Sequence, residues 1–382
     1  MLLGKSAAPL GEVGKVVIQA IKLAAAPLLM FSIVNAVLGA QVTIKGGARM
    51  LFFACVNASL ALGLGLLLSN VLRPGEHMLG AAVAAPAGVS APAVGKLELS
   101  KFLGNFVPPS LVQPFLDNAV FPLVVLSLVV GLALRRLKDE GEDVAVFERM
   151  ADLGQKAVTK ILGWILRVAP FAVFAVVAKS VGEYGFAPIK GLAAYVAVGL
   201  VGMALHTLVV YQAWLVFYVG LPLKRFWAEA KEPAIYSVGA NSSLATLPLT
   251  LEALDNLGVS KESSTLGACV GTNLNNDGII LYEAMAVLFV AQAHGIHLSV
   301  GQQAAAAASC LIAAMGIAGV PEAGFISLSI VLATVGLPAE ILPLLLTVDW
   351  ILARARSVVN VCGDMMVSIL IDRAGGKDFS RA

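Results

Sequence analysis

Apolar residues run along this chain in blocks of about 20, the length a helix needs to cross the hydrocarbon core of a bilayer. Residues 13–39, 50–72, 115–134, 159–178, 191–220 and 278–293 form such blocks and predict membrane-spanning helices. The stretch 78–96, MLGAAVAAPAGVSAPAVGK, is rich in small residues and interrupted by prolines, which predicts a short or discontinuous segment. RRLKDEGEDVAVFERM (135–150) is the longest charged run and predicts a solvent loop leading into an amphipathic helix. The fold class that follows is an all-α polytopic membrane protein.

Beyond residue 221 the pattern changes. YSVGANSSLATLPLTLEAL (236–254) and AASCLIAAMGIAGVPEAGFISLSIVLATVG (307–336) read as hairpins, each turning at small residues plus a proline, Pro248 and Pro321. After each comes an apolar helix interrupted by Asn, Asp and Gly: Asn275, Asp277 and Gly278 in NLNNDG, then Asn360, Gly363 and Asp364 in NVCGD. Repeated hairpins and broken helices that enter from opposite faces are how many secondary transporters build a midplane site. Non-helical backbone survives at that depth only where protein or a watery cavity covers it.

Composition supports the membrane reading. Hydrophobic residues make up 59% and charged residues 13% of the chain, against about 25% charged in soluble domains. The net charge of +2 says nothing about nucleic acid, and no basic cluster is interleaved with aromatics, so no nucleic-acid partner is expected. Cys55, Cys269, Cys310 and Cys362 lack CxxC or metal spacing. The start, MLLGKSAAPLGEVGK, lacks the apolar core of a cleavable signal. The loops QVTIKGGAR, RRLKDEG and LKRFWAEAKE and the tail DRAGGKDFSRA are basic, whereas QAHGIHLSVGQQ and VGLPAEILP carry no Lys or Arg. That bias places the first group, with the C-terminus, in the cytoplasm of a cell (inner or plasma) membrane.

Charges inside the apolar blocks need an explanation, since each costs roughly 2.5–3.5 kcal/mol near a bilayer centre. Arg356, Asn360 and Asp364 fall at i, i+4 and i+8, on one helix face. Asp349, two turns before Arg356, lies on nearly the same face as a possible counter-charge. The set reads either as an anion grip beside a cation site or as a structural pair gluing helices. Asn275 and Asp277 supply hard oxygens, and Gly278 permits a break that frees carbonyls. Asn57, alone in an apolar helix, either completes a cation cage or makes an interhelical hydrogen bond. Glu283 either carries a proton or pairs with a cation such as Arg354. His77, His206, His294 and His297 do not cluster as metal ligands. An enzyme is the competing class, with Asp277 and Asp364 as an intramembrane protease dyad. Val361 breaks its GxGD signature, however, and Asn and Gly beside each Asp suit a cation cage better. The reading is therefore not an enzyme, with no organic cofactor.

Taken together, NNDG, GIAGVPEAG, the NSS tip and RSVVNVCGD resemble the glutamate transporter family, the dicarboxylate/amino-acid:cation symporters. APLLMFSIV near the start and HLSVGQQ extend the likeness over nearly the whole chain. The resemblance implies a homotrimer in the lipid bilayer and an elevator mechanism for a small carboxylate solute. It implies scaffold in residues 1–45 and 76–188 (the latter with trimerisation helices), and transport domain in 46–75 and 189–382. Within the last range it implies hairpin 1 (225–256), a broken helix (262–293), hairpin 2 (299–336) and a second broken helix (341–373). Ser242 and Ser243 take the inner hairpin tip, and Gly319, Val320 and Pro321 the outer gate. Arg356 takes the place that grips the distal carboxylate, with Asn360 and Ser357 as further substrate contacts. Asp364, with carbonyls of Gly271, Asn275 and Asn360, matches one sodium site; Asp277, Asn275 and Asn57 match another.

The departures bear on substrate. Ala353 stands where amino-acid carriers of the family have an Asp for the ammonium, so an unpaired ammonium would be buried at cost. That favours a C4-dicarboxylate-like solute over an acidic or neutral amino acid. Ile279 replaces a Thr near the distal carboxylate, Asn276 a Met beside a further sodium, and Ala314 and Ile317 hydroxyl residues near that ion. These losses leave an uncoupled channel or solute sensor as another alternative. Glu283 lies where animal carriers take up a proton and link to potassium return, and Arg354 where they place an Arg. Asn241 replaces the hairpin Arg of archaeal relatives, and Cys362 a hydroxyl near the substrate. Family members begin with a helix ahead of APLGEVGK, which is expected to be absent here and would put residue 1 outside.

Overall fold

The computed structural model describes residues 10–39, 44–78, 110–116, 120–184, 187–314, 323–338 and 341–379, and every regular element among them is helical. The early apolar blocks become α1 (Leu10–Gly39), α2 (Ile44–Leu72), α3 (Val120–Asp139) and α4 (Ala145–Tyr184). The segment expected to be discontinuous, 78–96, lies outside the described residues apart from Met78, which ends a short 3-10 turn, Pro74–Met78. The charged run does form a tight solvent turn, but only over its middle. Gly141 adopts φ 93 between α3 and α4, and Asp143 accepts the Ala145 N–H at 3.0 Å to start α4. Ion pairs Arg136–Glu140 and Lys138–Glu148 flank it at 2.7 and 2.6 Å; such exposed pairs add little stability.

α4 is 40 residues long, about 60 Å at 1.5 Å per residue, roughly twice the bilayer core. Its polar first half therefore extends beyond hydrocarbon. α5 (Ala187–Leu205) runs on through two π-helical stretches, His206–Val210 and Trp214–Val219, separated by Tyr211–Ala213. Lys45–Leu72 and Gly191–Val219 are each long and apolar enough to cross a membrane. Phe171, Phe174 and Phe217 stand 72%, 72% and 87% exposed, an outer surface suited to lipid or a second subunit rather than water.

The first hairpin is α6 (Leu223–Ala240) and α7 (Ser243–Asn256), packed against each other. It turns at Asn241–Ser242 and not at Pro248, which lies inside α7. Asn241 adopts the left-handed conformation (φ 48), which Asn tolerates, and Ser242 caps α7 by accepting the Ala245 N–H at 3.1 Å. Next, α8 joins Lys261–Ser264, a π-helical Thr265–Val270 and Gly271–Leu274. The helix breaks at Asn275 (φ −106, ψ 78) and Asn276 (φ −109, ψ 54) and resumes as α9 (Asp277–Ala293). The second pair is α10 (Val300–Ala314) and α11 (Ala323–Thr334), also in mutual contact.

The last helix, α12 (Leu342–Ala374), is continuous over 33 residues, so the second expected break is absent. A lone glycine such as Gly363 costs a helix about 1 kcal/mol relative to Ala but leaves its ladder intact. Two consecutive asparagines compete for the backbone and end the helix at 275–276.

α9 and α12 form the middle of the molecule. Nearly every residue of α9 is buried, as expected of a helix apolar on all sides. α1 packs on both α3 and α4, whereas α2 and α5 pack on α9 and α12. Asp372 near the end of α12 accepts from the Ser260 N–H (2.9 Å), the Ser260 hydroxyl (2.7 Å) and the Ser263 hydroxyl (3.0 Å), anchoring the start of α8. α9 approaches α12 tightly at Gly278: a Cβ there would lie 2.7 Å from the Arg356 carbonyl oxygen and 3.0 Å from Asn360 Oδ1. Gly278→Ala is expected to destabilise the protein by about 1–3 kcal/mol, the range for overpacking a tight contact. A thermal unfolding midpoint equal to wild type would contradict that contact.

Candidate functional site

The site is built where the break between α8 and α9 faces α12. Arg356 and Asp349 are 3% and 1% exposed, and the guanidinium forks onto the carboxylate at 2.6 and 3.0 Å. Two turns of helix bring the pair together, as the spacing in the sequence suggests. The guanidinium lies 4.1 Å from the centroid of the Tyr282 ring, and a Cβ on Gly324 at the start of α11 would lie 2.9 Å from its Nε. One positive charge is thus held rigidly beneath the second hairpin. The position one turn earlier on α12 is the buried methyl of Ala353, not a second carboxylate.

A run of amides continues from it. Asn360 Oδ1 accepts the Gly278 N–H at 2.9 Å, and Asn360 Nδ2 donates to Asn276 Oδ1 at 3.2 Å. Asn276 Nδ2 in turn donates to the Ala314 carbonyl at 2.9 Å, the last residue of α10. The departure at Asn276 therefore links α12 to the second hairpin. On the other side the first hairpin tip closes in. Thr272 Oγ1 donates to Ser243 Oγ at 2.8 Å, and Ser357 Oγ lies 3.1 Å from the Ala353 carbonyl and 3.3 Å from Asn241 Oδ1. Arg356 and Asn360 thereby meet the break at Gly278, Ser243 meets Thr272 just before it and Ser357 meets the hairpin tip at Asn241, next to the capping Ser242; Ala353 and Ile279 are buried. Gly319, Val320 and Pro321, the expected outer gate, lie outside the described residues.

Oxygens without hydrogen-bond donors mark where a cation would fit. Asp364 Oδ1 and the side-chain oxygen and nitrogen of Asn275 are buried and have no partner. Each such group costs about 1–3 kcal/mol if nothing else satisfies it. A Cβ on Gly271 would sit 3.4 Å from Asp364 Oδ1 and 3.9 Å from Asn275 Cβ, so these three residues converge. Gly363 belongs to the same corner, where a Cβ would strike the Tyr211 hydroxyl at 2.6 Å and Asn275 Nδ2 at 2.8 Å. The donor set, one carboxylate with amide and carbonyl oxygens, suits sodium. Among the described residues no group of three or more His, Cys, Asp or Glu could hold another metal.

The second expected cage is different. Asp277 Oδ2 accepts the Tyr211 hydroxyl at 2.7 Å and faces His206 Nε2 at 3.4 Å, while Oδ1 has no partner. Asn57 Oδ1 accepts the Trp214 indole N–H at 2.8 Å, the interhelical bond rather than the cage. Glu283 is fully buried, neither oxygen hydrogen-bonded, with Ser327 and Cys310 as its polar neighbours from α11 and α10. Arg354 does not pair with it: Nη1 donates to the Trp350 carbonyl at 2.5 Å, and the guanidinium stacks 5.7 Å from the Trp350 ring. His206 and Tyr211 escaped notice in the sequence because they are five residues apart, which separates them on an α-helix. A π turn, with its i→i+5 bond, aligns them.

A buried, forked charge, unsatisfied oxygens, a helix break and a hairpin tip together are the kind of arrangement from which secondary transporters build solute and ion sites. The sequence profile of the Sodium:dicarboxylate symporter family matches residues 2–374, and the chain belongs to that family, as its motifs suggest. Membership makes it a membrane transport protein. It is 32% identical over 395 residues to a C4-dicarboxylate transport protein of Anaeromyxobacter sp. (strain K), covering 99% of this chain and 86% of that protein. A C4-dicarboxylate transport protein of Solibacter usitatus is 31% identical over 387 residues, 98% of this chain and 87% of the relative. One from Bacillus subtilis (strain 168) is 29% identical over 389 residues, 97% and 88% of the two chains.

Proposed function

We propose that the chain is a secondary active, cation-coupled symporter of a C4-dicarboxylate such as succinate, working as a homotrimer by an elevator movement. The observation that carries this reading is a single rigid cation, Arg356, at the helix break, with Ala353 where a carboxylate would meet an ammonium. In the bound state one substrate carboxylate shares the guanidinium with Asp349, through charge-assisted hydrogen bonds. The hydroxyls of Ser243 and Ser357 and the amide of Asn360 lie along the same break and orient the rest of the diacid. Their relatives' names, which refer to C4-dicarboxylates, point the same way.

Asp364 and Asn275, with carbonyls of Gly271 and Asn360, would hold sodium. A cation bound there supplies the charge that offsets Asp364 when an anion is enclosed beside it. The affinities for the two then rise together, which is coupling in its thermodynamic sense. Glu283, enclosed between α9, α10 and α11, is the group proposed to carry a proton, with potassium return as the other use of that position. The packing of α2 and α5 on α9 and α12 supports a transport domain, and the contacts of α4 with α12 and of α3 with α10 are where it would meet a scaffold of α1, α3 and α4.

A ligand that binds only the native state raises its melting temperature. Purified protein with sodium is expected to be stabilised by succinate, fumarate or malate and not by aspartate or glutamate. Stabilisation by aspartate without succinate would overturn the substrate assignment. Ala353→Asp should reverse the preference, because a fixed anion now repels the diacid and attracts an ammonium. Succinate affinity is expected to fall about tenfold or more, the equivalent of 1.4 kcal/mol. Unchanged succinate binding in the same thermal assay would place the solute elsewhere.

A further inference from the structure

Asp277 heads α9, fully buried, and the family resemblance assigns it a cation, yet the groups around it are donors. Tyr211 gives its hydroxyl hydrogen to Oδ2 at 2.7 Å. His206 Nε2 faces the same oxygen at 3.4 Å; a bare ring nitrogen there would meet the carboxylate lone pair to lone pair, so Nε2 carries the hydrogen. The two rings brace one another edge to face, with centroids 4.7 Å apart. Asn57 Oδ1, the oxygen expected to complete the cage, receives the Trp214 N–H at 2.8 Å. All three donors come from one irregular part of α5, where π-helical turns begin at His206 and Trp214. Single π turns cluster at functional sites, since the extra residue re-aims the side chains that follow.

Deepening the symport reading, on which this rests, we propose that His206, Tyr211 and Trp214 form a protein-borne clamp that takes the place of a cation at Asp277. Of the two carboxylates, Asp364 then binds sodium, and Asp277 serves as a positioning residue that locks the start of α9 to α5. The contrast with Asp364 is direct. There a carboxylate oxygen and the Asn275 amide oxygen have no donor; here Oδ1 is likewise without a partner, but Oδ2 faces two donors and the Asn57 amide oxygen, expected in the same cage, has one.

Sodium titration of the melting temperature of the full-length purified protein tests this, with choline as the control cation. Asp277→Asn keeps an acceptor for Tyr211 and is expected to leave the sodium midpoint within about twofold of wild type. Asp364→Asn is expected to raise it by about tenfold or more, since even a supporting residue of a metal site is worth about 10–100-fold. Should Asp277→Asn not fold, Tyr211→Phe gives the second reading: a lower melting temperature at zero sodium, with the sodium midpoint of the first site kept. A tenfold shift with Asp277→Asn, or a Tyr211→Phe protein as stable as wild type, overturns the clamp while leaving the Asp364 site standing. No shift with Asp364→Asn overturns the cation assignment itself and the clamp with it.

Discussion

Arg356→Ala protein is expected to accumulate no succinate in proteoliposomes and to melt well below wild type. Both losses follow from the fork onto Asp349. Removing one partner of a buried ion pair leaves the other uncompensated and costs about 3–5 kcal/mol. Stability alone would therefore not tell a substrate contact from a structural pair. The double variant Asp349→Leu with Arg356→Leu separates them, because replacing a whole buried pair by apolar side chains is often neutral or stabilising. We expect the double variant to regain most of the lost stability and still to transport nothing. Uptake near the wild-type rate in that protein would reduce Arg356 to a packing element. Arg356→Lys completes the series: the charge stays but the planar fork is lost, and with it the geometry that matches a carboxylate. Uptake is expected to fall by about 30-fold or more, the equivalent of the 2 kcal/mol or more that truncating a buried charged partner costs.

Asp364→Asn is expected to abolish sodium-driven uptake. At sodium 100 times its dissociation constant a bound ion stabilises the native state by about 2.7 kcal/mol, and a site weakened tenfold or more should lose about half of that or more. The amide keeps the shape of the side chain and one oxygen but not the charge that the cation offsets. Glu283, by contrast, lies against α10 and α11, apart from the Asp364 corner, so its replacement should not move the sodium midpoint. Full sodium stabilisation of the Asp364→Asn protein would show that the unsatisfied oxygens there are not cation ligands.

Much of this was legible in the chain. Most apolar blocks gave the helices to within several residues, but 159–178 marked only part of α4 (Ala145–Tyr184), whose polar first half carries no apolar signal. The spacing of Asp349, Arg356, Asn360 and Asp364 gave one face of α12, and the pairing of the first two needed only the helical repeat. NLNNDG announced a break, and the break is there. NVCGD looked the same and is not broken, because a single glycine flanked by good packing stays helical where two asparagines do not. The first hairpin turns at Asn241 rather than at Pro248, since a left-handed backbone is set by the residue that tolerates it, not by the nearest proline. The donors on Asp277 were hidden for a different reason. His206 and Tyr211 have no α-helical relation, and periodicity based on 3.6 residues cannot see a π turn. Asn57 was readable only as two alternatives, and the choice between them depended on where Trp214 points. Asn276 looked like a loss of a sodium-associated Met and turned out to join α12 to the end of α10.

Coupling is the claim on which the rest depends, and concentrative uptake measures it directly. Proteoliposomes holding the purified protein are given radiolabelled succinate with an inward sodium gradient, an inward proton gradient, or neither. The account predicts that internal succinate rises above the bath concentration when a cation gradient is present and falls back when an ionophore dissipates it. Succinate that merely equilibrates with the bath, at the same rate with and without a gradient, would contradict it.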